Sequence, residues 1–365
     1  DTEVIVHLMA QSSSSDCMDK IIDAVNQLRG GFALIFLVDG KVFAVRDRHG
    51  LRPLVMAEKS GVHVVASESC ALDLLDIPYQ RDVRPGELVC IDQTGRLTTK
   101  QIMPRAKMAF CSFEPIYFSR PDSLCGGRSI YEMRKRIGAV LARLYPVKAD
   151  AVIAVPDSAT PIAIGYAEAT GIPLELGMIR NHYIGRTFIQ PSQTLRDLGV
   201  KLKFNALEEV LSGNDCVVID DSIVRGTTSL KIVRMLRKAG AQKIHFRVGS
   251  PPVTHSCHYG ISTPDRQKLM AAQFDVDHIR EELDVDSLGY LTREGLAEAL
   301  DSREYRKTEV PDLDLDDAQD SEKIGYCMAC FSGDYPVVID DPRAYESHPT
   351  DKGGCGYFSE KPLVS

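Results

Sequence analysis

The feature that most constrains the fold is an apolar run that ends in two adjacent acids, followed by a glycine flanked by hydroxyl side chains. The run is Val217-Val-Ile-Asp-Asp-Ser-Ile-Val-Arg-Gly-Thr-Thr-Ser229. It predicts a buried strand that ends at Asp220, a loop, and a helix that begins near Thr228 and continues to Ala239. The N–H groups of such a loop, at the positive end of a helix, favour an anion. We therefore expect this loop to bind a phosphate.

The two acids suit a sugar phosphate and its metal. Asp220 and Asp221 lie where carboxylates can bind vicinal sugar hydroxyls or a Mg²⁺ ion that accompanies pyrophosphate. An ordinary strand–turn–helix is the alternative, but two acids followed by Arg-Gly-Thr-Thr form a more specific pattern than a lone glycine. The stretch resembles the phosphoribosylpyrophosphate (PRPP) signature of type I phosphoribosyltransferases. The residues expected to bind the 5-phosphate are Arg225, Gly226, Thr227, Thr228 and Ser229.

A second polar loop, Val155-Pro-Asp-Ser-Ala-Thr160, is predicted between a strand and a helix. Asp157 or Ser158 would cap that helix in any case. In the family that the first motif resembles, this is the pyrophosphate loop. The resemblance therefore implies that Asp157 and Ser158 contact the substrate, and that Ser158 adds a further Mg²⁺ ligand.

A basic segment with weak regular structure follows, between residues 181 and 205. Arg186, Arg196, Lys201 and Lys203 fall in it. A solvated surface loop would have the same composition. The resemblance favours a mobile cationic lid over pyrophosphate, with Arg186 in a catalytic role and Lys201 binding substrate.

Length and charge limit the other possibilities. A chain of 365 residues predicts two domains and a tail. The net charge of −8 argues against nucleic acid as a main partner. The sequence contains no apolar run near the ~20 residues of a membrane span, and its start is not a signal peptide, so we expect no membrane association and a cytoplasmic location. Ten cysteines without a secretory signal do not suggest disulfides.

The predicted pattern of secondary structure changes near residue 105. Before it, strands and turns dominate, including a hairpin signal from Phe32 to Arg46. From residue 130, strands alternate with helices, which predicts an α/β domain with a doubly wound parallel sheet. Acid-rich helices are predicted over 276–300, followed by an acidic linker over 308–321. The predicted domains are residues 1–105, 106–275 and 276–365.

The first domain carries a second resemblance. Arg46-Asp-Arg-His-Gly-Leu-Arg-Pro-Leu54 and Ala66-Ser-Glu-Ser-Cys-Ala-Leu72 closely resemble the second half of class II glutamine amidotransferase domains. Those domains use an N-terminal cysteine as nucleophile. The resemblance implies an incomplete Ntn-type α+β glutaminase sandwich over residues 1–105, in which Asp1 holds the amino group of glutamine.

The nucleophilic cysteine, the glutamine-clamping arginine and the oxyanion hole of that domain are missing from the sequence, and Cys17 is no substitute. Apolar stretches such as Phe32 to Val38 would then lose neighbours and expose an edge. We therefore expect a second chain to supply the missing half, and this chain alone to use ammonia rather than glutamine.

Four cysteines form another candidate site. Cys327-Met-Ala-Cys330 is a C-x-x-C that we place on a short loop, and alone it indicates a zinc half-site, a redox pair or chance. Cys111 and Cys257 would complete four thiolates, a set that suits either zinc or a [4Fe–4S] cluster. The set matches the ligands of the iron–sulfur branch of one amidotransferase family, which favours the cluster.

Together the motifs resemble the glutamine PRPP amidotransferase (amidophosphoribosyltransferase) family over residues 1 to about 340. The resemblance implies a glycosyltransferase that adds ammonia, taken from glutamine in the complete enzyme, to C1 of PRPP. The products would be 5-phosphoribosylamine, pyrophosphate and glutamate, in the first step of purine synthesis. It also implies a homotetramer and inhibition by purine nucleotides. A non-catalytic PRPP sensor, a base-salvage phosphoribosyltransferase and an inactive fragment remain alternatives.

Overall fold

The computed structural model describes residues 2–104, 106–181, 204–300 and 325–339. The N-terminal part holds two helices followed by two antiparallel sheets, with strand orders β1-β2-β6-β7 and β4-β3-β5. Its elements are α1 (Thr2–Gln11), α2 (Cys17–Val25), β1 (Ala33–Val38), β2 (Lys41–Arg46), β3 (Val55–Lys59), β4 (Val62–Ala66), α3 (Cys70–Asp73), β5 (Arg81–Asp82), β6 (Glu87–Ile91) and β7 (Leu97–Gln101).

Alternating side chains of β2 and β6 build these layers. Phe43 and Val45 face Ile21 of α2 in one apolar cluster. Ala44, on the opposite face of the same strand, packs against Met56 of the second sheet. The result is a helix–sheet–sheet arrangement, which agrees with the α+β sandwich predicted for this domain.

Strand β1 lies at the edge of the first sheet. Among the described strands it pairs with β2 alone. Ile35 is 51% exposed and Leu37 is 77% exposed, although both belong to an apolar strand. An edge strand with exposed apolar side chains is a surface on which another strand can pair.

The rest of the described chain forms an α/β domain and a short C-terminal segment. Its elements are β8 (Phe110–Cys111), a π-helical turn (Glu114–Phe118), β9 (Leu124–Cys125), β10 (Arg128–Ser129), α4 (Ile130–Leu144), β11 (Ala151–Ala154), α5 (Thr160–Thr170), β12 (Met178–Arg180), β13 (Phe204–Ala206), α6 (Glu208–Leu211), β14 (Asp215–Asp220), α7 (Thr227–Lys238), β15 (Lys243–Val248), a 3₁₀ turn (Arg266–Lys268), α8 (Met270–Gln273), α9 (Val276–Leu283), β16 (Ser287–Tyr290), α10 (Arg293–Leu300), β17 (Tyr326–Cys327) and α11 (Ala329–Ser332).

The central sheet is parallel, with strand order β11-β14-β15-β16. On the other side of β11, Val152 donates its N–H to the carbonyl of Pro173 at 2.8 Å and accepts the N–H of Glu175 at 2.9 Å. The segment around residues 173–175 therefore lies on one side of β11, whereas β14, β15 and β16 are added on the other side. This reversal creates a switch point between β11 and β14, where ligands bind in sheets of this kind.

Helices cover both faces of the sheet, as the prediction of a doubly wound sheet requires. α4 contacts both α5 and α10, and Arg247 of β15 points to this face, with its guanidinium over the ring of Tyr145 just after α4. α7 and α9 contact each other and occupy the opposite face. The strands between them are buried, including Val217, Val218 and Ile219 at 0% exposure.

The prediction over 276–300 was wrong in one element. Two helices are present, α9 and α10, but β16 lies between them and pairs with β15. Its sequence, Ser-Leu-Gly-Tyr, is too short and too poor in β-branched residues to show a strand signal. The acidic linker predicted over 308–321 lies outside the described residues, and the three domain boundaries stay predictions.

Candidate active site at the switch point

The loops that follow β11 and β14 meet at the switch point. The hydroxyl of Ser158, in the first loop, donates a hydrogen bond of 2.5 Å to Oδ2 of Asp221, in the second. Both loops lie at the carboxyl ends of their strands because the strands are parallel. The structure thus brings together two of the residues that the sequence assigned to a metal or pyrophosphate site.

Asp221 is a buried carboxylate with an elaborate set of partners. Ser222 donates to its Oδ1 at 2.6 Å, while Ser158 occupies its Oδ2. Burial raises the pKa of Asp221, and the hydrogen bonds from Ser158 and Ser222 and the charge of Arg134 oppose that rise. A carboxylate held in this way is preorganised as an acceptor for a cation or a hydroxyl.

Asp220 lies beside it at the end of β14. Its Oδ1 accepts the N–H of Asp221 at 2.9 Å. Asp220 and Asp221 are each only 7% exposed, which leaves a small accessible edge at the mouth of the switch point. Two adjacent carboxylates and one serine hydroxyl provide the hard oxygen donors that Mg²⁺ prefers.

The N-terminus of α7 completes this edge of the site. Gly226 precedes the helix with φ of 73°, and the helix runs for 12 residues from Thr227 to Lys238. The first N–H groups of a helix have no intrahelical acceptor, and they point out along its axis with the positive end of its dipole. Arg225, Thr227 and Thr228 are exposed, whereas Ser229 is buried.

The first loop differs from its prediction in one respect. The N-cap of α5 is Ala159, and no side chain caps this helix end. Ser158 is instead bound to Asp221, and Asp157 pairs with Arg180 at the end of β12. The expectation that Asp157 or Ser158 caps the helix was therefore wrong, because both side chains turn to partners across the loop.

One residue of this neighbourhood was not predicted from the sequence. Arg134 lies in α4, is 1% exposed, and contributes its charge to the environment of Asp221. Its Nε donates to the carbonyl of Pro115 and its Nη2 to that of Ser119, both at 2.7 Å. It therefore ties α4 to the segment 115–119. A charged residue among the apolar positions of an amphipathic helix was the signal that could have identified it.

Three predicted site residues, Asp1, Arg186 and Lys201, lie outside the described residues. Their assigned roles stay predictions.

The four predicted cysteine ligands converge on one cavity of about 20 Å³. Cys327 in β17 is paired in register with Cys111 in β8, so two thiols come from neighbouring strands. Cys330 follows in α11, and Cys257 lies in the loop after β15. The C-x-x-C was expected on a short loop, whereas it spans the end of a strand and the start of a helix. Besides the thiols, the cavity is lined by Leu51, Arg52, Phe113, Tyr259, Ile261, Thr263, Ala329 and Tyr335.

Burial and mutual proximity dominate the electrostatics of these thiols. Burial raises the pKa of Cys111 to about 12 and that of Cys327 to about 11, and it raises the pKa of Cys330 as well. The negative charge that Cys257 would carry adds to each of these shifts. The N–H of Tyr259 donates to the sulfur of Cys257 at 3.3 Å, a bond that would stabilise a thiolate.

Within the described ranges, no three His, Cys, Asp or Glu side chains lie close enough together to hold one metal ion. The thiols nevertheless share one cavity, so they surround a common space rather than a common point.

The fold and the switch-point carboxylates define a phosphoribosyltransferase-type domain that follows part of an amidotransferase sandwich. Comparison with known families agrees: a glutamine amidotransferase domain matches residues 1–74, and a phosphoribosyl transferase domain matches residues 129–249. In both cases the matched range contains the motifs described above.

Similar whole proteins narrow the class. Amidophosphoribosyltransferase 1, chloroplastic, from Arabidopsis thaliana is 46% identical over all 365 residues, which make up 60% of that protein. The amidophosphoribosyltransferase of Bacillus subtilis is 43% identical over 93% of this chain and 68% of its own length. A solved glutamine PRPP amidotransferase from B. subtilis, complexed with ADP and GMP, superposes with a TM-score of 0.82 and covers 94% of this chain and 72% of its own. The chain belongs to the amidophosphoribosyltransferase family.

The chain spans about 60% of the length of the Arabidopsis relative, and 57% of a second one from the same plant. None of the helices in the described part is long and apolar enough to cross a bilayer.

Proposed function

We propose that this protein adds ammonia to C1 of PRPP, releasing pyrophosphate and forming 5-phosphoribosylamine. The observation that carries the proposal is the convergence of Asp220, Asp221 and Ser158 with the N-terminus of α7 at the switch point. The relatives named above support the proposal, since they are amidophosphoribosyltransferases. Nothing in the comparisons supports a PRPP sensor without catalysis.

Different groups of the chain bind different parts of PRPP. The N–H groups of residues 226–229 and the hydroxyls of Thr227 and Thr228 bind the 5-phosphate, because the positive end of a helix favours an anion. Asp220 and Asp221 accept hydrogen bonds from the ribose hydroxyls and so fix the sugar over the edge of the sheet. The pyrophosphate then lies toward the loop of Asp157 and Ser158.

The reaction exchanges one bond at C1. The bond between C1 and the pyrophosphate oxygen breaks as the bond to the ammonia nitrogen forms, and the added nitrogen loses one proton. The sugar passes through an oxocarbenium-like state, which the two nearby carboxylates stabilise electrostatically. The protein forms no covalent bond with the substrate in this scheme. Positioning of the sugar and exclusion of water are therefore its main contributions to the rate.

Magnesium fits the oxygen donors at the switch point. Ser158, Asp220 and Asp221 would hold it, and it would neutralise charge on the departing pyrophosphate. Arg186 and Lys201, in the basic segment between residues 181 and 205, are proposed to add positive charge near the pyrophosphate.

We propose a [4Fe–4S] cluster, rather than a zinc ion, at the cysteine cavity. Cys111, Cys257, Cys327 and Cys330 surround one space without forming a single-ion site. The cavity joins Leu51 and Arg52 of the sandwich to the α/β domain and the C-terminal segment. We infer that the cluster stabilises the junction of these parts rather than acting in the reaction.

The glutamine-dependent reaction needs groups beyond those described. We propose that Asp1 contributes to binding of glutamine, and that a strand of a second chain pairs with β1. The exposed Ile35 and Leu37 support such pairing. A homotetramer, inhibition by purine nucleotides and a cytoplasmic location stay predictions, although a solved relative holds ADP and GMP.

The deciding experiment measures pyrophosphate release from PRPP and Mg²⁺ by anaerobically purified protein, with ammonium or with glutamine. We expect turnover with ammonium, and its loss in the double variant Asp220→Ala/Asp221→Ala. Wild-type turnover in that double variant would refute the assignment. Binding of PRPP without any turnover would favour the sensor.

A further inference from the structure

Tyr290 is a buried residue at the edge of the site that the reaction described above does not use. It ends β16 and is 4% exposed. The strand register pairs Asp220 with Val248, and Val248 with Tyr290. Residues paired in register on parallel strands direct their side chains to the same face of the sheet. The ring of Tyr290 and the carboxylate of Asp220 therefore share one face, with Val248 between them.

The hydroxyl of Tyr290 has no hydrogen-bond partner in the described part of the chain, although its oxygen is fully buried. The hydroxyls of two other tyrosines of this domain do have partners. Tyr166 donates to the carbonyl of Tyr145 at 3.0 Å, and Tyr145 donates to the carbonyl of Tyr290 at 2.9 Å. An unsatisfied buried hydroxyl costs folding free energy, so its presence beside a ligand site calls for a functional reason.

The electrostatic environment makes this hydroxyl a donor. Burial and the negative charge of Asp220 raise the pKa of Tyr290, so the proton remains on the oxygen at neutral pH. Asp220 receives the N–H of Asp221 on Oδ1, and a carboxylate has further acceptor sites. Asp220 can therefore accept a hydrogen bond from a donor on the same face and at the same level of the sheet, in addition to the one from Asp221.

We propose that Tyr290 is a positioning residue for Asp220. When the phosphoribosyl ligand and its cation bind, the hydroxyl of Tyr290 donates to the carboxylate of Asp220 and fixes the orientation in which Asp220 holds the ribose. This inference rests on the proposed function, and Tyr290 acts through Asp220 rather than on the reacting atoms.

The test is Tyr290→Phe, which removes only the hydroxyl. We expect KM for PRPP to rise roughly tenfold, the effect of losing one hydrogen bond to a charged group, with a smaller change in kcat. The melting temperature should stay equal or increase, because an unsatisfied buried hydroxyl is lost. Tyr166→Phe is the matched control. Its hydroxyl has a partner on the opposite face, so we expect a lower melting temperature and an unchanged KM.

Two comparisons separate the possible failures. If Tyr290→Phe leaves KM unchanged while Asp220→Asn raises it, the positioning role is overturned and the proposed function stands. If Asp220→Asn also leaves turnover of PRPP unchanged, the proposed function itself fails. Should ammonium-dependent turnover be too slow to measure, the dissociation constant for PRPP with Mg²⁺, from titration calorimetry, gives the same comparison.

Discussion

The hydroxyl of Ser158 and the carboxylate of Asp221 form a 2.5 Å hydrogen bond between the loops on either side of the switch point. The two residues are 63 positions apart in the chain. Their contact therefore depends on the parallel pairing of β11 with β14, which aligns the carboxyl ends of both strands. The bond joins the predicted pyrophosphate loop to the predicted ribose loop, so we expect the two loops to act together.

Ser158→Ala should weaken the binding of PRPP with Mg²⁺. The variant loses a hydroxyl that donates to the buried carboxylate of Asp221 and that is itself a proposed Mg²⁺ ligand. KM for PRPP should therefore rise at least about tenfold. Ser222→Ala is the comparison, because Ser222 donates to the other oxygen of the same carboxylate from within the same loop. We expect it to have the smaller effect. If both variants raised KM for PRPP equally in steady-state kinetics, the contact between the two loops would contribute no more to binding than the contact within one loop.

Gly226→Ala should abolish turnover. Gly226 adopts φ of 73°, and a Cβ there would lie 2.2 Å from Sδ of Met270. Either the side chain of Met270 or the loop must therefore shift, and the strain of a positive φ favours a shift of the loop, which would move the N–H groups at the start of α7. We expect kcat/KM for PRPP to fall at least about a hundredfold, since a small displacement of a positioning group has large effects.

Gly171→Ala is the control for backbone strain alone. Gly171 ends α5 with the same φ of 73°, but a Cβ there meets nothing within 4 Å. We expect this variant to lose about 1 kcal/mol of stability and to keep its activity. If both variants lost activity equally, the collapse of Gly226→Ala would reflect instability rather than damage to the site.

The sequence predicted the strand, the loop and the helix of the site because their residues lie next to one another in a short motif. Residues 217–229 contain a strand, two acids and a helix start, and each has its own local signal. By contrast, Arg134 lies 87 positions before Asp221 in the chain. Only the packing of α4 brings its charge near the carboxylate of Asp221. Contacts of this kind have no local pattern.

The missed strand β16 has the same explanation. Ser287 to Tyr290 forms a strand because β15 offers an unpaired edge, not because of intrinsic propensity. The capping prediction for Ser158 failed for a related reason. A serine before a helix is a good local cap, but a buried carboxylate from a distant loop was the stronger partner.

Stability should fall below pH 6.5 because of His245. Burial and the charge of Arg247 lower its pKa from 6.5, and its Nδ1 lies 2.9 Å from Oγ of Ser287. As the pH falls below 6.5, the unfolded chain binds a proton at this position before the folded protein does. The stability present above pH 6.5 is then lost as the pH falls through the lowered pKa. The other charged groups around His245 are Lys243, Asp215 and Asp286.

His245→Gln should flatten this part of the pH profile. The measurement is urea unfolding of wild type and variant at several pH values, with pH 8 as the reference where the histidine is neutral in both states. A variant that loses stability below pH 6.5 as steeply as wild type would show that other groups cause the decline.

Leu37→Lys tests whether the edge of β1 is an interface. Leu37 is 77% exposed on a strand that pairs on one side only among the described strands. A charged residue on an edge strand opposes pairing with another strand. In the isolated chain this exposed apolar edge is free to pair with the same edge of another copy, so we expect the variant to self-associate less than wild type in sedimentation velocity, with little loss of stability. Unchanged association would show that the edge of β1 is not the surface through which the chain associates.

Cys327→Ala should remove a bound cluster and loosen the junction between the sandwich and the α/β domain. Anaerobic wild type should contain about four iron atoms and as many sulfides per chain, while the variant should contain far less of both and melt at a lower temperature. Cys216→Ala is the matched control: Cys216 is fully buried in β14 and does not line the cavity, so iron content should stay at the wild-type level. Zinc in place of iron and sulfide would show that the four thiols contract around a single ion.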